Sequence, residues 1–183
     1  MSSNIYRLQA EPDKYLWLTL TDENKSECLE EIREARSLKG KWTPVQVEAI
    51  VENKEDQHKL LSDFPEFWCL PTISKRGVKR LANFLSKDVE LLPVLNYEYY
   101  IINVTRVIQA LDENRSIIER FSSGEIMNVE RYWFSENELG GAPIFKLYGY
   151  HRVAIFVNEE FYQEVQNSGL TGFQFQKVWP HIH

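Results

Sequence analysis

Glu98 to Asp112, EYYIINVTRVIQALD, is the stretch on which the reading of the fold turns. Tyr99, Tyr100, Ile101, Ile102, Asn103 and Val104 are mostly aromatic or β-branched, the residue types that fit a pleated surface, so they predict a strand. Apolar residues follow one another almost without alternation, as in a strand covered on both faces. The period then changes. Val104, Val107, Ile108 and Leu111 fall at i, i+3, i+4 and i+7, which predicts a short amphipathic helix ended by Asp112-Glu113-Asn114. The stretch holds no nucleophile, metal cluster or phosphate loop. It is architecture, and the rest of the chain must say what the architecture presents.

The chain has 183 residues, a length that predicts one domain spanning residues 1–183, with a looser N-terminal part over about 1–60. Such a chain buries roughly 70% of its unfolded surface and needs no disulfide or metal staple. Aromatic residues make up 13%, with five Trp, nine Tyr and ten Phe, which favours sheet over helix bundle. The formal charge of −6 argues against nonspecific binding to nucleic acid or an acidic membrane. Cys28 and Cys69 form no CxxC pair, the start of the chain has no apolar signal-like run, and no segment reaches the ~18 apolar residues of a membrane span. A cytoplasmic protein with reduced thiols is expected. The Asn103-Val104-Thr105 and Asn114-Arg115-Ser116 glycosylation patterns are then chance matches.

Outward from the opening stretch, strands are expected at Ile5 to Leu8, Tyr15 to Leu20, Val45 to Val51, Val89 to Val94 and Ile144 to Tyr148. Others are expected at Val153 to Val157 and from Thr171 to Trp179. Pro12-Asp13 marks the turn between the first two. Asn24 and Glu27 have capping-box spacing before a helix whose stripe is Cys28, Leu29, Ile32 and Ala35. Ser74 is placed to cap a helix carrying Val78, Leu81, Ala82 and Leu85, which Gly77 weakens on propensity. The passage from Asp63 to Pro71 contains two prolines and so is a poor long central strand. Pro93 puts the strand at 89–94 near a sheet edge. Ser116 to Phe121 and Ile126 to Phe134 predict a hairpin turning at Ser122-Ser123-Gly124. Asn158 is the expected cap of a last helix that buries Phe161, Tyr162 and Val165 and stops at Gly169. The fold class is α+β: a mixed, mainly antiparallel sheet with three or four short helices.

Chemistry-bearing residues are scattered. His58 lies in a polar loop, His151 in a turn, and His181-Ile182-His183 reads as a tail that lacks the three or four fixed ligands of a zinc site. No serine stands in a GxSxG elbow. Cys69, between Trp68 and Leu70, and Cys28, on a helical stripe, read as core thiols. The glycine pairs lack the lysine of a phosphate loop. Lys75 to Arg80 reads as a solvated helix face. Trp42, Tyr132, Trp133 and Trp179 are either interface aromatics or, more often for such residues, the edges of a core. The acidic residues around Glu48 to Asp56 and Glu130 to Glu138 read as solvated loops, with contact to a basic partner as the functional alternative.

A resemblance adds what the chemistry lacks. Residues 91–179 resemble the immunity-protein families of bacterial polymorphic toxin systems, with both the profile numbered eleven and that numbered forty-three in view. The resemblance runs through Tyr99 to Val104, Ala110-Leu111-Asp112, Ile126 to Tyr132, Gly141 to Leu147 and Ile155-Phe156-Val157 with Phe161. It continues through Gly169 to Phe175 and ends at Val178-Trp179. Trp42-Thr43-Pro44, Asp63-Phe64-Pro65 and the helix after Ser74 agree more loosely. These positions are strands, turns and core, so they carry fold and transfer no functional residue. The resemblance implies a cytoplasmic protein that takes part in bacterial competition by binding a cognate toxin domain directly. It implies no cofactor and no turnover. Glu52, Glu55, Asp56, Glu136 and Glu138, charged and claimed by no core stripe, are the expected toxin contacts. Two alternatives stay open: a general protein–protein adaptor, and an enzyme. A deep pocket holding paired carboxylates, or His151 with a shifted pKa, would favour the enzyme.

Overall fold

Tyr99–Val104 is a strand, and it is covered on both faces: Ile102 and Val104 enter one apolar cluster, Ile101 another. A computed structural model of the chain describes residues 4–21, 27–67, 70–85 and 87–180, with backbone alone at Glu27 and Cys28. The proposed Asn24–Glu27 capping box, the Cys28 and Cys69 thiols, Trp68 and the two terminal histidines lie outside what it describes.

Among the described residues there are thirteen strands and four helices, in chain order. They are β1 (Ile5–Ala10), β2 (Trp17–Leu20), α1 (Glu27–Arg33), β3 (Val47–Ile50), β4 (Glu66–Phe67), β5 (Leu70–Ser74), α2 (Lys75–Arg80), β6 (Val89–Pro93) and β7 (Tyr99–Val104). Then follow β8 (Val107–Ile108), β9 (Ile117–Arg120), β10 (Ile126–Arg131), α3 (Glu136–Leu139), β11 (Ile144–Leu147), β12 (Ile155–Asn158), α4 (Glu159–Ser168) and β13 (Phe173–Trp179). This is an α+β, mainly sheet fold, as expected.

The strands form a five-stranded sheet ordered β13-β1-β12-β11-β8, a six-stranded sheet ordered β3-β2-β4-β5-β7-β6, and the two-stranded hairpin β9-β10. Pairing is antiparallel except for β8 on β11 and β2 on β4. β1 and β2 therefore belong to different sheets on either side of the turn, where Asp13 takes a left-handed φ of 63°. β6, which contains Pro93, is an edge strand as its proline requires. Pro71 is tolerated inside the six-stranded sheet because the pairing of β5 with β7 begins only at Thr72.

The expected helix after Val104 does not form. Val107 and Ile108 make β8, in parallel register with Lys146 and Leu147. Their backbone bonds go across the chain: Lys146 N donates to Arg106 O and Tyr148 N to Ile108 O, both at 2.9 Å. Leu111 bridges to Phe134. The apolar spacing is real, but over so few residues it does not distinguish one helical face from an extended chain that meets different neighbours in turn. The β-branched pair Val107-Ile108 suits the strand, and tertiary pairing decides.

Three apolar clusters follow from this layering. One joins the two sheets, bringing Tyr6, Leu8, Ile155 and Val157 against Ile73, Ile102 and Val104, with Phe161 of α4 and Leu81 beyond α2. A second, rich in aromatics, packs Ile126 and Val129 of the hairpin with Tyr132, Phe134, Phe145, Phe156 and Trp179. A third packs Leu29 and Ile32 of α1 against Leu18, Val47, Phe67, Leu92 and Ile101. Each such side chain contributes ~1.5–3 kcal/mol of burial. Tyr132 and Trp179 thus complete a core; Trp42 donates its indole N–H to Pro93 O at 2.9 Å, and Arg115 stacks on Trp133.

Caps are where their sequences put them. Ser74 Oγ accepts from Gly77 N at 3.0 Å, and Asn158 Oδ1 accepts from Phe161 N at 3.0 Å. Gly169 ends α4 with φ 68°. Gly77 has a role that propensity does not reveal: a Cβ there would sit 2.6 Å from Ile73 Cγ1, so α2 lies directly on β5.

Candidate functional site

Two features compete for function: the acidic surface stretches and a cleft on the chain's inner layer. The first acidic stretch follows β3, at the edge of the six-stranded sheet. Asn53 shapes it, its Oδ1 accepting from Glu55 N at 2.9 Å and Asp56 N at 3.1 Å. Asp56 turns inward. Its carboxylate accepts from Glu52 N at 3.2 Å and Asn53 N at 3.3 Å and pairs with Lys59 at 2.7 Å. The Lys59 ammonium holds the Asp56 carboxyl below its usual range. Asp56 therefore builds the loop, while Glu52 and Glu55 remain exposed on it. The second stretch is α3, one helical turn. Leu139 is buried in the aromatic cluster, and Glu136 and Glu138 are exposed. Neither stretch lines the cleft.

The cleft, of about 610 Å³, opens between the two sheets. Its apolar walls include Leu8 and Ile155 on one side and Phe64 and Ile102 on the other. The last residues of α1 and the turn at 151–154 line it as well. Lys146 is the group that organises it. It lies in β11 between apolar neighbours and is 4% exposed. Its ammonium donates to Ile32 O at 2.7 Å and Arg33 O at 3.2 Å. These are carbonyls of the last turn of α1, at the negative end of the helix dipole; Ile32 O also accepts from Ala35 N at 3.1 Å. Burial pushes the Lys146 ammonium down to about 8.

Around it the cleft is mostly basic. His151 Nε2 lies 3.4 Å from Glu34 Oε2, and its Nδ1 is buried with no hydrogen-bond partner among the described residues. Burial, and after it the Lys146 charge, holds the imidazole below its usual range. Arg152 pairs with Glu30 at 2.6 Å and also with Glu34, and Arg33 pairs with Glu30. Arg152 and then Arg33 hold the Glu30 carboxyl down. Glu66 is the one carboxylate among the lining residues.

The same contacts tie the two halves of the chain together. Lys146, His151 and Arg152 hold α1 from the C-terminal half. Asn103 Nδ2 adds bonds to Arg36 O at 2.8 Å and Glu90 Oε2 at 2.9 Å, and Glu90 in turn accepts from Leu38 N at 2.8 Å. Asn103 is fully buried, so its glycosylation pattern is a chance match in structural fact. Of the residues read as chemistry-bearing, only His151 belongs to the cleft. Lys146 was legible as an anomaly, a lysine inside the apolar run Ile144 to Leu147. Its partners on α1, 113 and 114 positions away, were not.

Among the described residues no group of three or more His, Cys, Asp or Glu is placed to hold a metal ion, and no helix is long and apolar enough to cross a membrane. Residues 94–179 match the model of the Immunity protein family (Imm11), a span from just after β6 to the end of β13. The similarity to immunity proteins noted for the C-terminal half is therefore borne out, and of the two profiles it is the eleventh that matches. No curated protein matches the chain.

Proposed function

We propose that the chain acts as one immunity domain that neutralises a cognate bacterial toxin by direct, non-catalytic binding in the cytoplasm. The observation that carries this reading is the match of residues 94–179 to the Immunity protein family (Imm11), a similarity that implies a toxin partner in general. In this reading the protein covers the toxin's active site or an essential surface. Glu52, Glu55, Glu136 and Glu138 are exposed carboxylates that would meet a basic toxin surface and steer encounter. Asp56 would serve by holding the first loop in shape, since its own oxygens are already engaged.

The test is a tagged pull-down from the source bacterium, washed in high salt, with mass spectrometry of what co-elutes. One stoichiometric partner carrying a toxin domain, whose killing this chain suppresses on co-expression, supports the reading. Several weak partners and no suppression would favour an adaptor. With the toxin in hand, Glu52→Lys with Glu55→Lys, and Glu136→Lys with Glu138→Lys, should each slow association and flatten its salt dependence. Unchanged rates would remove that loop from the interface.

A second reading, an enzyme, is favoured by one observation: His151 has a depressed pKa, lies beside Glu34, and lines a cleft. An immunity protein predicts that His151→Ala leaves suppression of killing unchanged; an enzyme that works through this site predicts its loss.

A further inference from the structure

We propose that the cleft over Lys146 binds a small amphipathic carboxylate, its head group held at Lys146 and His151 and its apolar body lying along Leu8, Phe64, Ile102 and Ile155. Four observations carry this. The volume, about 610 Å³, falls within the range of small-molecule sites, and apolar side chains such as Leu8, Phe64, Ile102 and Ile155 share the lining with charged ones. Lys146 is a buried cation with no carboxylate within ion-pair distance among the described residues. It has three donor protons and uses two on the helix carbonyls. Buried charges are normally paired, so an anion is the missing partner in kind. His151 presents a second polar atom, the buried Nδ1, that no described residue satisfies; with Nε2 turned to Glu34 it is an acceptor in the neutral ring, so it takes up a proton as the carboxylate binds and then donates to it.

The surroundings choose the sign of the ligand. Arg7, Arg33, Lys146 and Arg152 all line the cleft, against Glu66 alone. Arg33 and Arg152 are tied to Glu30 and Glu34, so those two carboxylates are already engaged and compete little for Lys146. The apolar walls choose the rest. A bare inorganic anion would leave Leu8 and Ile155 uncovered, whereas a carboxylate with a hydrocarbon body satisfies both ends of the site. This site is separate from the exposed acidic stretches proposed for toxin contact, so its failure would leave the immunity reading untouched, and the reverse holds too.

The experiment is a titration of the full chain with decanoate, followed by amide chemical shifts, with decanol as the neutral counterpart. Decanoate should shift amides of residues 8–10 and 151–155 while leaving the β9-β10 hairpin unmoved, and decanol should bind at least tenfold more weakly. Lys146→Met should reduce decanoate affinity at least tenfold. If that variant does not fold, His151→Ala should still weaken decanoate severalfold, because it removes the second head-group contact. Equal binding of decanol and decanoate, shifts scattered outside the cleft, or no shifts up to the solubility limit would overturn the proposal.

Discussion

Raising the pH from 8 to about 9.5 should stabilise this protein, against the trend of most proteins in that range. The cause is Lys146. In the unfolded chain its ammonium titrates near 10.5, and in the fold near 8. Between these values the unfolded state holds a proton that the folded state has released, so stability rises with pH. Below pH 8 both states are protonated, and the cost of dehydrating the charge is constant. Integrating the two titrations from pH 8 to pH 10 gives a gain of about 2 kcal/mol. The window matters at both ends. His151, also depressed by burial, adds a rise that is complete before pH 8. Tyr6 and Tyr99 are each pushed up to about 12, and Tyr132 higher still. From about pH 9 upward the unfolded state therefore loses tyrosine protons first, which takes back part of the Lys146 gain by pH 10 and lowers stability beyond it. The assay is urea unfolding followed by tryptophan fluorescence at pH 8, 9 and 10, on the native chain and on Lys146→Met. Relative to the variant, the native chain should gain about 2 kcal/mol across the series, because the tyrosines act equally on both. At pH 7 the two should differ by only about 1–2 kcal/mol, because losing the bonds to Ile32 O and Arg33 O is offset by no longer burying a charge. A native chain that gains nothing over the variant between pH 8 and pH 10 would refute the reasoning.

Asp63→Ala should cost about 2–4 kcal/mol, read as a lower urea midpoint, since it strands the Ser74 hydroxyl and the Thr171 amide that converge on one buried carboxylate, while the exposed Arg76 can turn to water. Ser74 Oγ donates to it at 2.7 Å, Arg76 at 2.9 Å and Thr171 N at 3.1 Å, so α2 would be tied to the segment before β13 only by the Arg76 bond to Gly169 O at 3.0 Å. Gly77→Ala should destabilise by about 1–3 kcal/mol despite better helix propensity, because Ile73 is fully buried and cannot retreat from the new methyl; a thermal melt at or above the native value would show that α2 can lift off β5. Asn158→Ala should cost about 1 kcal/mol through the lost cap on Phe161 N, read as a lower melting temperature, while Asn158→Asp should be close to neutral.

Local patterns in this sequence determined a good deal. Tyr99 to Val104 has no polar face except Asn103, so it could only be a strand enclosed on both sides. Phe173 and Phe175 alternate with Gln174 and Gln176, which marked β13 as a strand with one face inward; its place at the sheet edge came from the topology. Asn158 with its following glutamates, Gly169, the β9-β10 turn and the place of Pro93 all rest on interactions within a few residues, which composition and spacing report directly. The fold class followed from these. The tertiary structure alone decided the rest. Val107 and Ile108 became a strand because Lys146 and Leu147 offered a parallel partner. Gly77 proved to be a packing requirement because β5 passes under α2. Asp56, indistinguishable in sequence from Glu52 and Glu55, turned inward because Lys59 and two amides meet it. The cleft is the clearest case. Its lysine, its histidine and the helix end they face come from positions more than a hundred residues apart, and no local pattern encodes a meeting that depends on how two sheets stack. Short-range hydrogen bonding and periodicity are written in neighbouring residues; the electrostatics of a buried charge is written only in the company the fold brings to it.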